Sequence, residues 1–220
     1  MSPRPYRMER RQESTDENRR RILKAARDLL ASPQAAARFS VEAVARRAGV
    51  ARMTVYYQFG SMRGLLQAVC DSLALAGGLQ DLPEVFRLTD PHKALDQFIV
   101  AFVRFWETNR AVLRGAMAVA DPDVVAVLEE RSGWRRKGLG VLVERLRKQT
   151  GRPKPKDTPD TIDLLYMLTS FYTYDSLATP RRSAGQVARL VQQLARKVLV
   201  KTKTSPRRHE GHEGHSRSRN

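Results

Sequence analysis

Residues 40–66 read SVEAVARRAGVARMTVYYQFGSMRGLL, and the interpretation of the whole chain starts from this stretch. Its first part has apolar residues at helical spacing, at Val41, Val44, Ala45 and Ala48. Ser40 can cap the start of this helix, and Gly49 follows its last apolar position, where a chain leaving a helix often needs a positive φ. A second short helix is predicted over residues 52–58. A helix, a turn containing glycine and another helix form the helix-turn-helix pattern, whose second helix enters the major groove of DNA.

An ordinary helical hairpin is the alternative interpretation, because two helices joined through a glycine are common in helical proteins. The adjacent pair Tyr56 and Tyr57, close to the basic residue Arg52, favours the DNA-binding interpretation. Two neighbouring tyrosines on a short basic helix suit a protein core poorly. They suit a surface whose hydroxyl groups and ring edges contact phosphates and thymine methyl groups.

The same stretch resembles the recognition helix and following turn of TetR/AcrR-type transcriptional regulators. The residues that carry this resemblance are 54–61 with 65–66, then 44–50 and 22–30 upstream. Together they cover about residues 19–68, and beyond residue 70 only the length and the helical layout are similar. The resemblance implies an all-α fold, with an N-terminal three-helix DNA-binding domain and a C-terminal helical domain for ligand binding and dimerisation.

Particular side chains of the pattern are expected to contact double-stranded DNA. We expect Ser40 and Tyr56 to contact phosphates, and Met53 to touch a thymine methyl group. The residues expected to face base edges are Arg52, Thr54, Tyr57 and Gln58. The family usually has a lysine where Met62 stands, and that lysine commonly meets a phosphate; the neighbouring Arg63 is expected to take its place.

The chain is strongly basic, with a formal charge of +17 from 40 Lys and Arg against 23 Asp and Glu. Such an excess favours a polyanionic partner, either nucleic acid or an anionic membrane surface. Its spread over both ends and the middle of the chain favours nucleic acid. Residues 1–18 are predicted to be a flexible basic arm, with an ordinary disordered terminus as the alternative. Residues 201–220 are predicted to be a disordered basic tail.

The cellular location is predicted from the cysteine content and the hydropathy of the sequence. Cys70 is the only cysteine, so an intrachain disulfide is impossible and a reducing cytoplasm is expected. Its apolar neighbours favour a buried thiol over a reactive one. Apolar runs are too short to span a bilayer, and the Arg-rich start lacks the apolar core of a secretory signal.

Two domains are expected between the arm and the tail: a DNA-binding domain at 19–66 and a ligand-binding and dimerisation domain at 67–200. The second domain carries aromatic residues on several helices. A small apolar or aromatic effector between those helices is the functional interpretation, and ordinary core packing is the alternative. The candidate ligand-binding residues are Phe102, Phe105, Trp106, Met117, Trp134, Tyr166, Phe171 and Tyr172.

The last two predicted helices, over residues 160–177 and from about residue 187, are the candidates for a homodimer interface. The resemblance implies a four-helix interface, with two helices from each subunit, although such a stripe can also close the core of its own chain. The candidate dimerisation residues are Leu165, Thr169, Tyr172, Val187, Leu190, Val191, Leu194 and Val198. A dimer presents two recognition helices to successive turns of the major groove, which predicts a roughly palindromic operator.

The sequence offers no recognisable catalytic or metal-binding motif, so neither an enzyme nor a cofactor is predicted. His209, His212 and His215 could bind a transition metal weakly, but a solvated tail is the preferred interpretation. Two other classes of protein stay open. One is an architectural protein that binds nucleic acid through charge alone, and the other is a small-molecule enzyme or carrier built on the C-terminal helices.

Overall fold

The computed structural model describes residues 4–149 and 158–201, and within these residues the fold is all-α, as predicted. The helices are α1 Arg4–Leu30, α2 Ala35–Arg38, α3 Val41–Ala48, α4 Arg52–Phe59, α5 Met62–Ala76, α6 Leu82–Arg87, α7 Pro91–Thr108, α8 Arg110–Ala118, α9 Pro122–Gln149, α10 Thr158–Leu168, α11 Phe171–Leu177 and α12 Ala184–Lys201. Every one of the helices in these ranges is too short or too polar to cross a membrane.

Capping residues of the opening stretch mark both ends of α3 and the start of α5. Ser40 Oγ accepts a hydrogen bond from Ala43 N at 3.2 Å, so it caps α3 as predicted. Gly49 ends α3 in the left-handed region at φ 64°, where a side chain would be strained. Ser61 Oγ likewise accepts from Gly64 N at 3.0 Å at the start of α5. The buried side chains of Ile22 and Val55 join the three-helix core of this domain.

The N-terminal region differs from the expected flexible arm, because α1 begins at Arg4 and continues without a break to Leu30. Pro5 is compatible with this helix because it lies in the first turn, where its missing N–H needs no partner. Two contacts hold this part of α1 against the end of α4. Gln58 Nε2 donates to Thr15 O at 3.2 Å, and the Arg19 guanidinium lies 4.6 Å from the centre of the Phe59 ring.

Helix α7 forms the centre of the second domain. Apolar residues at helical spacing form a stripe along this helix that is buried in full, at Leu95, Phe98, Ile99, Phe102, Phe105 and Trp106. Asp90 caps this helix with its carboxylate, which accepts from His92 N at 2.8 Å. Helix α9 packs closely here, since a Cβ at Gly138 would lie 3.1 Å from the Phe98 ring and 3.2 Å from the Phe86 ring.

The segment expected to be a single helix over residues 160–177 is divided into α10 and α11. The chain breaks at Thr169 and Ser170, where Ser170 Oγ accepts from Thr173 N at 3.1 Å and so caps a new helix. The Thr169 carbonyl receives two side-chain donors, Trp106 Nε1 at 3.0 Å and Arg135 Nη1 at 2.5 Å. These donors replace the helical hydrogen bonding that the break removes.

Helix α5 connects the two domains and is held along its length by contacts from the second domain. Asn109 Nδ2 donates to Leu73 O at 3.1 Å, and Arg104 Nη2 donates to Gly78 O at 2.9 Å just beyond the helix. Arg131 of α9 forms an ion pair with Asp71 at 2.7 Å. These contacts join the C-terminal half of α5 to α7 and α9.

Candidate functional site

Helix α4 has apolar and aromatic side chains that are exposed to solvent. Met53 is 72% exposed and Tyr57 is 85% exposed, although side chains of this kind are usually covered. Val55 faces the opposite side and is buried, so the helix has one side in the core and one side free. Methionine and tyrosine on the free side of the second helix of a helix-turn-helix can contact thymine methyl groups and base edges.

Arg52 and Tyr56 form a connected pair beside these exposed residues. Arg52 Nη2 donates to the Tyr56 hydroxyl at 3.1 Å, and Arg52 Nη1 lies 2.8 Å from a carboxylate oxygen of Glu42. The Tyr56 hydroxyl, and then Glu42, raise the pKa of the Arg52 guanidinium. This ion pair lies on the surface, where such pairs contribute about 0–1 kcal/mol, so a phosphate or a guanine can replace Glu42 at little cost.

Two side chains that were predicted to contact DNA, Gln58 and Arg63, have partners within the protein. The partly buried Gln58 directs its amide to Thr15 O of α1 instead of into solvent, because α1 extends past the end of α4. Arg63 forms an ion pair with Glu130 of α9 at 3.0 Å, so its guanidinium points towards the second domain and not along the DNA-facing side. Neither long-range partner is visible in the local sequence pattern.

Ser40 and Thr54 are the remaining side chains that were predicted to contact DNA. Ser40 is partly buried and its oxygen caps α3, which leaves its O–H group as a donor for a phosphate. Thr54 is partly buried. Sequence reasoning missed Arg21, which donates to Gly49 O at 3.2 Å and ties α1 to the turn between α3 and α4. Only the arginine content of α1 could have indicated this contact.

A cleft opens in the second domain between α7, the α10–α11 break and α12. Its enclosed space is about 10 Å³, roughly the room for one water molecule, within a depression of about 200 Å³ that includes open solvent. Its lining residues are Ile99, Phe102, Val103, Trp106, Leu168, Thr169, Ser170, Tyr174 and Val191. Most of these side chains are apolar, so a larger apolar molecule could enter only if the surrounding helices moved apart.

The predicted ligand-binding residues divide into three groups in the structure. Phe102 and Trp106 line the cleft. The residues that pack around them or elsewhere in the core are Phe105, Met117, Tyr166 and Phe171. Trp134 and Tyr172 are 52% and 68% exposed and lie outside the cleft lining, because their helices turn these positions to solvent.

Sequence reasoning missed most of the cleft lining. Ile99 and Val103 could have been found, because they share the helical spacing of Phe102 and Trp106 on α7. Thr169 and Ser170 could not have been found in the same way, since they line the cleft only because the helix breaks there.

The predicted dimerisation residues also divide by exposure. Half of the set is buried in the core of this chain and cannot reach a second subunit: Leu165, Thr169, Val187 and Val191. Leu190, Leu194 and Val198 are only partly buried and follow one flank of α12. Among the described residues of α10 and α11, the side chains of Leu164, Met167 and Tyr172 are exposed and add apolar surface, and of these three Tyr172 belongs to the predicted dimerisation set.

The remaining candidates concern cysteine and metal chemistry. Cys70 is partly buried, and burial, only partly opposed by the nearby Arg131, raises the pKa of its thiol to about 11, which disfavours reactivity at neutral pH. No group of three metal-ligating side chains occurs within the described ranges. The histidines at 209, 212 and 215 lie outside the described residues, as does the predicted basic tail beyond Lys201.

A helix-turn-helix with a free second helix, joined to a second helical domain, is an arrangement found in DNA-binding transcriptional regulators. Residues 22–69 match the family model for bacterial regulatory proteins of the tetR family. This segment therefore belongs to the tetR family, the chain has the fold of TetR-family transcriptional regulators, and the resemblance stated from sequence is confirmed.

Solved structures with this fold extend over most of the chain. NalD of Pseudomonas aeruginosa, the secondary repressor of the MexAB-OprM multidrug efflux pump, is 22% identical with a TM-score of 0.65, covering 84% of this chain and 96% of NalD. A TetR-family regulator from Mesorhizobium loti is 17% identical with a TM-score of 0.61, covering 85% of this chain and 97% of its own. A transcriptional regulator from Saccharomonospora viridis, solved in complex with choline, is 16% identical with a TM-score of 0.59, covering 82% and 96% respectively. No curated protein matches the chain.

Proposed function

We propose that this protein is a homodimeric transcriptional repressor that releases a two-fold symmetric DNA operator when a small molecule enters the second domain. The observation that carries the proposal is the exposed side of α4, where the side chains of Met53 and Tyr57 are open to solvent and lie beside Arg52. Residues 19–66 would form the DNA-binding domain, and residues 67–200 the ligand-binding and dimerisation domain. The similar protein NalD is a repressor, which supports the same direction of control here.

Dimerisation is supported by the apolar surface that α10, α11 and α12 leave uncovered. Leu164 is 43% exposed and Met167 is 55% exposed on α10, and the flank of α12 with Leu190 and Leu194 is only partly buried. Two copies of this chain would cover these residues and place two α4 helices on successive major-groove turns, about 34–36 Å apart. A change of Leu194 to Arg should therefore give a monomer in analytical ultracentrifugation, and an unchanged dimer would contradict this interface.

The contacts around α5 support a route from the cleft to the DNA. Phe102 and Trp106 of the cleft lie on α7, and the Asn109 side chain just after α7 donates to Leu73 O of α5. Only Gly60 and Ser61 separate α5 from α4. A molecule that widens the cleft would displace α7, and α7 would displace α5 and then the recognition helix. Ligand and operator would then weaken each other by the same factor, typically about 1–3 kcal/mol of coupling.

The central experiment is selection of bound sequences from random DNA by the full chain. A repressor of this type should enrich a palindrome whose half-sites lie about one helical turn or a small multiple apart. A Tyr57→Ala variant should lose most of this enrichment, whereas Trp134→Phe, on the exposed side of α9, should keep it. Binding of every sequence with equal affinity and steep salt dependence would instead support an architectural nucleic-acid binder.

A further inference from the structure

Glu42 is the only acidic residue of the sequence between positions 29 and 66, a stretch that holds five arginines. Its carboxylate lies in the first turn of α3 and forms an ion pair with Arg52 at the start of α4, with 2.8 Å between Oε1 and Nη1. The side chains of Arg52 and Glu42 are 57% and 51% exposed, so DNA can reach both. A carboxylate on a surface that binds DNA repels the phosphates. The one acid of this stretch therefore lies where it opposes binding to the DNA backbone.

The guanidinium of Arg52 is held at two points. Nη1 lies against the Glu42 carboxylate, and Nη2 donates to the Tyr56 hydroxyl at 3.1 Å. The guanidinium carbon lies 5.4 Å from the centre of the Tyr56 ring. These contacts orient the planar group, whose five N–H donors form one rigid fork. The hydroxyl and the carboxylate occupy only part of this fork, so donors remain for DNA.

The position of Arg52 favours a base edge as the acceptor. Arg52 is the first residue of α4, and the N-terminal residues of the second helix of a helix-turn-helix contact base edges in the major groove. Guanine offers N7 and O6 there, and two N–H groups of one arginine can bind both atoms. Guanine is neutral, so Arg52 can bind it while the ion pair with Glu42 persists.

A phosphate would interact differently with the same arginine. It is an anion that competes with Glu42 for the guanidinium, and it brings a second negative charge close to the carboxylate. The ion pair itself is weak, as surface pairs are. Repulsion between the carboxylate and the phosphate therefore provides the discrimination, since like charges across an interface suppress unwanted contacts.

A purely structural role for Glu42 is the alternative interpretation. An acid in the first turn of a helix stabilises the helix through its dipole. That role predicts an effect on stability and none on base preference. Asp28 provides a comparison in the same domain, because it pairs with Lys24 at 3.0 Å and with Arg47 at 3.3 Å, and both partners lie outside α4.

We infer that Arg52 binds a guanine in each half-site and that Glu42 is the positioning residue that directs Arg52 to this base instead of to a phosphate. This inference rests on the proposed function, because it names the base that the DNA-contacting helix reads and the residue that determines this specificity. Glu42 lowers the affinity for all DNA, and it lowers the affinity most for DNA that lacks the guanine.

The test starts from the operator that the full chain selects from random DNA. Each guanine enriched in both half-sites is replaced in one half-site by another base, by 7-deazaguanine, which lacks the N7 acceptor, or by hypoxanthine, which keeps N7 and O6. At the guanine read by Arg52, another base should weaken binding about 5- to 150-fold in fluorescence anisotropy. There 7-deazaguanine should weaken binding about threefold or more, and hypoxanthine should leave it unchanged.

Variants then separate the position of the carboxylate from its charge. Glu42→Gln should bind random DNA about three times more tightly and lose at least about two thirds of the guanine preference. Its salt dependence on random DNA should steepen by about 0.9 in slope for each subunit, because Arg52 gains a phosphate. Arg52→Lys keeps the charge without the planar fork, so it should lose the preference and keep its affinity for random DNA. Asp28→Asn is the matched control, and it should leave the guanine preference intact.

Several outcomes would refute the inference. These are an unchanged guanine preference in Glu42→Gln, an affinity of that variant for random DNA that does not rise, and a preference that survives in Arg52→Lys. A change in Glu42→Gln confined to thermal stability would assign Glu42 a structural role only. If Glu42→Gln does not fold, Glu42→Ala takes its place in the same comparison. Failure of the wild-type chain to select any operator would refute the proposed function, whereas an operator without a guanine that depends on Arg52 would refute only this inference.

Discussion

A Gly115→Ala substitution tests whether α8 of the second domain packs directly on the end of α1. A Cβ at Gly115 would lie 1.7 Å from Leu30 O and 2.8 Å from Leu30 C. A carbon and a carbonyl oxygen normally stay about 3.3 Å apart, so the two helices would have to separate by about 1.5 Å. The obstacle is backbone and cannot rotate away. Overpacking of this kind costs about 1–3 kcal/mol, or more.

The matched control is Gly133→Ala on α9, where a new Cβ would have no neighbour within 4 Å. Replacing glycine by alanine inside an exposed helix stabilises it by about 1 kcal/mol, and both variants share this gain. The net expectation is a loss of about 0–2 kcal/mol or more for Gly115→Ala and a gain of about 1 kcal/mol for Gly133→Ala, so the two variants should differ by about 1–3 kcal/mol or more. Urea denaturation followed by circular dichroism measures both, with unchanged m-values expected. Equal stability of the two variants would refute the close contact between α8 and α1.

Three further predictions concern single side chains. Tyr57→Ala should change the free energy of unfolding by no more than about 0.5 kcal/mol and yet weaken operator binding at least tenfold. Gln58→Ala should instead cost about 0.5–1.5 kcal/mol of stability and keep the base preference. Calorimetry measures the stability of each variant, and fluorescence anisotropy measures its operator binding. Burial raises the pKa of the Cys70 thiol from 9.0 in the unfolded chain to about 11 in the folded protein. The contribution of this thiol to the free energy of unfolding is therefore complete below pH 9 and is lost as the pH rises through 11. Cys70→Ala should remove that alkaline loss of stability in denaturation curves recorded from pH 8 to pH 11. Arg63→Ala and Glu130→Ala should change operator affinity equally, because the two residues act as a pair; a loss confined to Arg63→Ala would show that Arg63 contacts a phosphate after all.

The sequence predicts those parts of the fold that short-range signals control. Ser40 caps α3 as expected, and Ser61 and Asp90 cap α5 and α7 in the same way, because a cap involves only the next two or three residues. The apolar stripe of α7 is buried for a similar reason, since its spacing decides which side of the helix avoids water.

The structure differs from the sequence-based predictions where a residue distant in sequence determines the partner of a side chain or the end of a helix. Gln58 binds Thr15, which is 43 residues away, and Arg63 binds Glu130, which is 67 residues away. The break at Thr169 depends on donors from α7 and α9, and it determines which side chains line the cleft. Residue type and local spacing give no information about such pairings, so the bounds of α4 could be predicted closely and the side chains that line the cleft could not.

The length and attachment of α5 have a mechanical consequence. Its 15 residues span about 22 Å, its C-terminal end is hydrogen bonded to the second domain at Leu73, and its N-terminal end continues into α4 and carries the exposed ion pair of Arg63 with Glu130. A rigid rod of this length that tilts by about 5° moves its far end by about 2 Å. In a symmetric dimer both rods would tilt, and the separation of the two recognition helices would change by up to about 4 Å. A tilt of a few degrees in α5 would therefore shift the two recognition helices out of register with the DNA, with no large rearrangement in either domain.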